Sequence, residues 1–269
     1  MLGYAASAYY PGSITSSVLP AGFLKVRAMR RWKAVGVDGC RGGWVSVGWD
    51  GEGWGVRFLS ALGSLADHLA DDATVCVDMP IGLSRDGVRA CDVMARQRLG
   101  RRGSSVFVPP PRIALDGMPY AELNALSKVR FGRGVSKQAY YLIPKIRELE
   151  NLLRGHPSFI ERWHETHPEL CFAALSHGVP MSAPKSSADG AKQRMAVLQQ
   201  FVPLVEVATL LEAVMNETQR RQLVQDDVID AFVCCIVATL DADRRCFLPE
   251  GRVEYDDQNM PMRICYPCV

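Results

Sequence analysis

The 269-residue sequence has no apolar run long enough to cross a membrane, because none approaches the roughly twenty uninterrupted residues that a bilayer requires. It also lacks a Walker-type Gly-x-x-x-x-Gly-Lys segment, which excludes a P-loop nucleotide site. The close cysteine pair Cys265 and Cys268 has no second pair to complete a zinc site, and we interpret its spacing as chance. The sequence thus indicates a globular protein without a span, a P-loop or a zinc site.

The first 28 residues have little charge and no periodicity, with no charged side chain before Lys25. They also lack the basic start and unbroken apolar centre of a secretory signal. The segment from Met29 to Lys33 leads into the first predicted strand, so Met29 is a candidate true start. We predict that residues 1–28 form a disordered or loosely packed, dispensable extension. Residues 29–269 are predicted to form a single domain with an insertion at about 83–155.

The cysteines are too scattered for a disulfide framework. Their number, nine, is odd, and several lie inside apolar runs, as Cys76, Cys171 and Cys234 do. Buried thiols of this kind are typical of a reducing compartment. We therefore predict free cysteines and a cytoplasmic location.

The order of the apolar runs predicts an α/β fold. Two runs within Ala34–Trp49 and a third at Val56–Leu59 are separated by glycine-rich turns, which indicates three antiparallel strands. A short helix is predicted from Leu62 to Asp72. The Thr74–Asp78 run is apolar on both sides, as expected of a central parallel strand, and 159–166 is a candidate fifth strand.

Two aspartates lie within or at the end of these predicted core strands. Asp38 interrupts the first strand, and Asp78 ends the central one before Pro80. An ion pair of Asp38 with Arg41 is the structural alternative. Two like charges on adjacent core strands, however, repel strongly at low dielectric unless a cation lies between them. The pair therefore favours a metal site.

A second acidic pair begins the most apolar predicted helix. Asp227 and Asp230 are three residues apart, so they share one face at the start of this helix. With Asp38 and Asp78 they form a predicted four-carboxylate site, for which Mg²⁺ or Mn²⁺ is the expected ion. Glu165, at a strand end, is a further catalytic candidate. The roles of Glu169 and His167 stay open between helix capping, structural packing and the site itself.

The net charge of +2 is unevenly distributed. The segment 96–147 contains 11 Lys and Arg residues against Asp116 and Glu122, so it carries +9 and the remainder carries −7. The basic residues of such a segment either form a solvent-exposed face or bind the phosphates of a nucleic acid. The candidate nucleic-acid contacts are Arg96, Arg101, Arg102, Lys185 and Arg194.

Several ordered motifs resemble a bacterial domain-of-unknown-function family, number 429, which is predicted to contain RNase H-like nucleases. The motifs are Gly36–Trp44, Asp78–Gly82, Arg89–Asp92, the 95–107 run, Glu165–Glu169, Lys185 to Arg194, and Asp227–Ala231. The resemblance covers about Lys33 to Pro267. It implies an RNase H-like mixed sheet, three antiparallel strands continued by parallel ones, with helices on both faces. The Asp227 and Asp230 pair also resembles that of the Holliday-junction resolvase branch.

Two other functions share this superfold. Actin-like and sugar-kinase phosphotransferases place an Asp-x-Gly turn after their first strand, and Asp38-Gly39 is similar, but they require two such domains. A non-catalytic adaptor is the third interpretation. We predict a metal-dependent nuclease acting on DNA or RNA, in which two ions activate water and stabilise the leaving oxygen. The sequence leaves open whether the protein forms a homodimer.

Overall fold

The computed structural model describes residues 31–219 and 221–268, so the predicted extension over residues 1–28 lies outside the described residues. The strands in this part of the chain are β1 (Trp32–Cys40), β2 (Gly43–Trp49), β3 (Trp54–Leu59), β4 (Leu69–Asp78), β5 (Trp163–Thr166), β6 (Arg245–Leu248), β7 (Glu254–Tyr255), β8 (Pro261–Met262) and β9 (Ile264–Pro267). The α-helices are α1 (Ala90–Leu99), α2 (Tyr120–Phe131), α3 (Lys137–Gly155), α4 (Pro168–Leu175), α5 (Ala188–Leu198), α6 (Leu204–Glu217) and α7 (Gln225–Thr239). A search of the described helices found none with the length and apolar character needed to cross a bilayer.

The main sheet of the described chain has the strand order β3-β2-β1-β4-β5-β9-β6. The first three strands in sequence pair antiparallel, and β1, β4, β5 and β9 are parallel. The predicted α/β class and the mixed sheet are therefore confirmed. The sheet is extended beyond the predicted strands by β9 and by β6, which pairs antiparallel with β9. Strands this short have too few residues to show a period-two pattern in the sequence.

Side chains from the two faces of this sheet enter two separate apolar cores, as expected for a sheet covered on both sides. Val35 and Val37 of β1 contribute to the core beneath α3. Ala34 and Cys40 contribute to the core beneath α7. Because side chains alternate along a strand, Asp38 points to the α7 face.

Gly36 lets α7 approach β1 closely. A Cβ atom at this position would lie 2.0 Å from the Ala231 carbonyl oxygen and 2.1 Å from the Cys235 backbone nitrogen. Any side chain would therefore push the helix away from the strand. This contact sets how near the start of α7 lies to the end of β1.

The segment from Leu62 to Asp72 corrects the predicted helix. A 3-10 helix spans only Leu62–His68, and β4 already begins at Leu69. Leu69 lies opposite Trp32 in the parallel β1–β4 pair. Pairing in the sheet thus overrides the local helical spacing. Farther along, α3 is continuous through Pro144, and Ser136 caps it by accepting a hydrogen bond from the Ala139 backbone nitrogen.

One disulfide corrects the prediction that all cysteines are free. Cys246 and Cys268 are bonded, with their Cα atoms 5.1 Å apart, while seven other cysteines of the described chain are free and buried. The pair forms because β6 and β9 are antiparallel neighbours and the Cys268 backbone nitrogen donates to the Arg244 carbonyl. Cys268 therefore pairs with a cysteine that is distant in sequence, and the spacing to Cys265 plays no part.

Candidate metal centre

Asp38 and Asp78 lie side by side on adjacent parallel strands. They are register partners near the carboxyl ends of β1 and β4. Both face α7, since Cys76, two residues before Asp78, belongs to the core beneath that helix. Asp38 is buried and Asp78 is half-buried.

The first turns of α7 bring a second pair of carboxylates to the same place. Asp230 is only 2% exposed. Asp227 is half-buried and caps the helix, with its Oδ2 accepting a hydrogen bond of 3.1 Å from the Val224 backbone nitrogen. The close contact of α7 with Gly36 places this helix start directly above the ends of β1 and β4.

The four aspartates line one cavity of about 370 Å³, which we call the central cavity. One oxygen each from Asp38, Asp78 and Asp230 lies within 4.8 Å of the others, so this group could hold a divalent metal ion. The donor set fits such an ion, because hard carboxylate oxygens are what Mg²⁺ and Mn²⁺ prefer. A further fit comes from Asp230 Oδ1, which is buried without a hydrogen-bond partner. A buried, unpaired carboxylate oxygen is costly unless a cation or water satisfies it.

Burial and mutual repulsion raise the pKa of these carboxyl groups. Burial, followed by the charges of Asp78 and Asp230, raises the pKa of Asp38 well above its usual value. Burial likewise raises the pKa of Asp78 to about 7 and that of Asp230 to about 7, although the Lys185 charge opposes both shifts. Burial also raises the pKa of Asp227. Concentrated negative charge here is therefore unfavourable without a cation.

Lys185 is the cation of the central cavity that pairs with Asp230. Its Nζ lies 2.6 Å from Asp230 Oδ2, and its side chain is 47% exposed. Burial would lower the pKa of the Lys185 ammonium, but the charges of Asp230 and Asp38 outweigh this and raise it. Within the described residues, Asp38 forms no ion pair with Arg41. The structural alternative of an Asp38–Arg41 ion pair is therefore not supported.

Glu165 lies outside the three-aspartate group, in a buried clamp formed with Arg89. The Arg89 guanidinium donates to both Glu165 oxygens, at 2.6 and 2.7 Å, and to Asp92 at 2.6 and 2.8 Å. It also donates to the carbonyls of Ile81 and Gly82 in the turn after Asp78. The structure thus gives Glu165 a role in fixing this turn. Sequence reasoning missed Arg89, although it occurs in one of the family motifs.

The predicted phosphate contacts occupy different environments. Arg102 and Lys185 line the central cavity, Arg101 is exposed, and Arg96 lines a neighbouring cavity. The structure does not support Arg194 as a phosphate contact, because its side chain is 1% exposed and pairs with the buried Glu169.

Glu169 and His167 also line the central cavity. Arg102 approaches Oε2 of Glu169 at 3.6 Å, whereas Arg194 pairs with Oε1. His167 Nε2 is 3.3 Å from the Ser105 carbonyl oxygen, and its Nδ1 has no partner. These contacts give Glu169 an ion-pairing role. His167 lines the central cavity together with the four aspartates.

Comparison with protein families bears directly on this site. Residues 36–253 match the family described as a protein of unknown function, DUF429. The chain belongs to this family. The predicted resemblance is thereby confirmed, and all four aspartates of the central cavity lie within the match. Neither the curated proteins nor the solved structures gave a match. The mixed sheet is consistent with an RNase H-like fold, and any activity of this DUF429 member must be argued from its geometry.

The raised pKa of Asp78 predicts a pH-dependent effect of Asp78→Asn in metal-free buffer. Near pH 4 the native carboxyl is largely protonated and resembles the amide. Between the ordinary aspartate pKa of 3.8 and about 7, Asp78 ionises in the unfolded chain but stays largely protonated in the folded chain, so native stability falls as pH rises. The stability advantage of Asp78→Asn should therefore grow across this window and level off above it.

Chemical denaturation at several pH values, with a chelator present, measures this difference. Asp38 and Asp230 lose the repulsion of the Asp78 charge in the variant, which adds to its stability advantage in the same direction. Asp72→Asn is the matched control, because Asp72 is exposed at the opposite end of β4. An Asp78→Asn advantage that does not change with pH would contradict the prediction.

Proposed function

We propose that this protein is a metal-dependent nuclease that hydrolyses phosphodiester bonds in nucleic acid. The observation that carries the proposal is the convergence of Asp38, Asp78 and Asp230, with ligand oxygens within 4.8 Å of one another. They come from two parallel strands and from a helix that begins about 150 residues after the second of these strands. Such a group has little structural value, because burying like charges together is costly.

Asp38, Asp78 and Asp230 would hold Mg²⁺ or Mn²⁺, with Asp227 as the fourth carboxylate. A bound divalent ion supplies positive charge to a phosphate and makes water a stronger acid. The carboxylates of the chain fix the ion and can accept a proton at Asp227, which is only half-buried.

Cationic side chains at the rim of the central cavity would bind the substrate phosphates. Lys185 is half-exposed, so it can turn from Asp230 towards a phosphate once an ion takes over the neutralisation of that carboxylate. The Arg102 side chain is 27% exposed on the same rim. Arg101 and Arg96 extend the positive charge away from the cavity. The substrate we propose is DNA or RNA, and a cytoplasmic location and a homodimer remain expectations from the sequence.

The test is cleavage of labelled DNA, RNA and branched junctions by the purified protein, with Mg²⁺, with Mn²⁺ and with a chelator. We expect cleavage only with a divalent ion, accompanied by a rise in the melting temperature when the ion is added, because the ion binds the folded state alone. Absence of cleavage on all substrates, combined with ATP binding, would favour the phosphotransferase alternative. A protein that neither cleaves nor binds an ion would favour the adaptor alternative.

A further inference from the structure

A second cavity of about 420 Å³ adjoins the central cavity, and we call it the side pocket. Ser104, Phe107 and Gln138 line both cavities, so the two share a wall. The volume is within the range that small-molecule sites usually have. A ligand in the side pocket would therefore lie next to a ligand bound at the aspartates of the central cavity.

The lining of the side pocket combines flat apolar surface with cations. Phe107 and Phe131 contribute aromatic rings, and Arg96 and Arg133 contribute guanidinium groups. Both arginines are held by the backbone: Arg133 donates to the Asp86 carbonyl at 2.5 Å, and Arg96 donates to the Val106 carbonyl at 2.9 Å. Aromatic rings beside fixed guanidinium groups are the usual platform for unpaired bases.

Ser127 supplies an independent indication of a ligand. It lines the side pocket, is only 1% exposed, and its hydroxyl has no hydrogen-bond partner. Buried hydroxyl groups almost always have a partner, so one that lines a cavity is poised for a partner from outside the chain. The polar edge of a planar heterocycle provides such a partner.

We propose that the side pocket binds a nucleobase of the substrate, with the attached phosphate directed towards the aspartates of the central cavity. This inference rests on the proposed nuclease function and specifies its substrate. A base can enter the pocket only when it is unpaired and unstacked, because a duplex keeps its bases inside the stack. The protein therefore acts on single strands, on branch points or on bases extruded from a duplex.

The binding test compares adenosine 5′-monophosphate with ribose 5-phosphate, which lacks the base, by calorimetry on the full-length protein. We expect the nucleotide to bind about 5- to 150-fold more tightly, the range that base–aromatic stacking supplies. Phe131→Ala should remove most of this difference. Phe131→Leu, which keeps apolar volume without an aromatic ring, should remove part of it, and Ser127→Ala should weaken nucleotide binding.

Val129→Ala is the matched control, since Val129 lies on the same helix as Ser127 and Phe131 but is 85% exposed. It should leave the base-dependent difference unchanged. Equal affinities for the two ligands in the native protein, or a loss in Val129→Ala as large as in Phe131→Ala, would overturn the proposal. Thermal unfolding of each variant verifies that it is folded.

A cleavage assay separates this proposal from the nuclease proposal. We expect the native protein to cleave unpaired strands faster than duplex, and Phe131→Ala to lose that preference. Base-dependent binding without any cleavage would contradict the nuclease proposal and support the base-binding proposal. Cleavage of duplex and single strands at equal rates, without base-dependent binding, would remove the pocket and leave the nuclease.

Discussion

Asp38→Asn is expected to lower the cleavage rate by more than about 100-fold. The same substitution is expected to stabilise the metal-free protein. The activity is lost because the amide removes a charged oxygen ligand, which should cost more than the 10- to 100-fold typical of groups that only support a ligand. The stability rises because burial and the charges of Asp78 and Asp230 oppose the native carboxylate. A gain of about 0.5–2 kcal/mol is usual for a stabilising substitution.

Thermal unfolding at pH 8, with a chelator and then with Mg²⁺, measures the stability change, and the cleavage assay measures the loss of activity. The native protein should gain stability from Mg²⁺, and Asp38→Asn should gain much less. Asp72→Asn removes the same charge from the exposed end of β4 and should leave cleavage and the response to Mg²⁺ unchanged. A loss of stability in Asp38→Asn that is the same with and without Mg²⁺ would indicate a structural carboxylate.

Arg89→Met is expected to produce the largest loss of stability. The native guanidinium is 1% exposed and satisfies Glu165 and Asp92 as well as two backbone carbonyls. Methionine fills part of the volume but leaves both carboxylates buried without their cation. Breaking a buried pair in this way costs about 3–5 kcal/mol. Because Arg89 also holds the turn after Asp78, the affinity for Mg²⁺ should fall with it.

Arg85→Met provides the control for removing an arginine ion pair. Arg85 pairs with Asp257 at 3.0 Å, but its side chain is 83% exposed, so the melting temperature should hardly change. A double variant, Arg89→Met with Glu165→Gln, should recover part of the lost stability because it removes one uncompensated charge. Chemical denaturation of the four proteins measures these differences. Equal stability of Arg89→Met and the native protein would contradict the role of the clamp.

The part of the fold that the sequence could predict is the part with strong local patterns. The first three strands are apolar runs separated by glycine-rich turns and α7 is a long apolar run, and Asp38 and Asp78 are recognisable because a carboxylate is unusual in a buried strand. The short strands β6 and β9 could not be predicted, because their positions depend on pairing with distant partners. The disulfide depends on the same pairing.

The candidate site shows the same division between local and distant information. Which side chains could bind a cation was evident from residue type, but what neutralises each carboxylate was not. Glu165 and Asp230 are both buried acids. Arg89 donates to both oxygens of Glu165, whereas Lys185 donates to only one oxygen of Asp230. The burial of Arg194 is likewise a product of packing. Electrostatic pairing across elements is tertiary information that spacing along the chain does not contain.

The close packing of α7 on Gly36 has a consequence for how the protein opens. The helix is buried from Val228 to Ala238, and β1 lies between two other strands of the sheet. Elements in such a position exchange their amide hydrogens only when the whole domain unfolds. Amide exchange in α7 should therefore be as slow as global unfolding allows, and the carboxylate ligands should stay together until the last cooperative unit of the protein is lost.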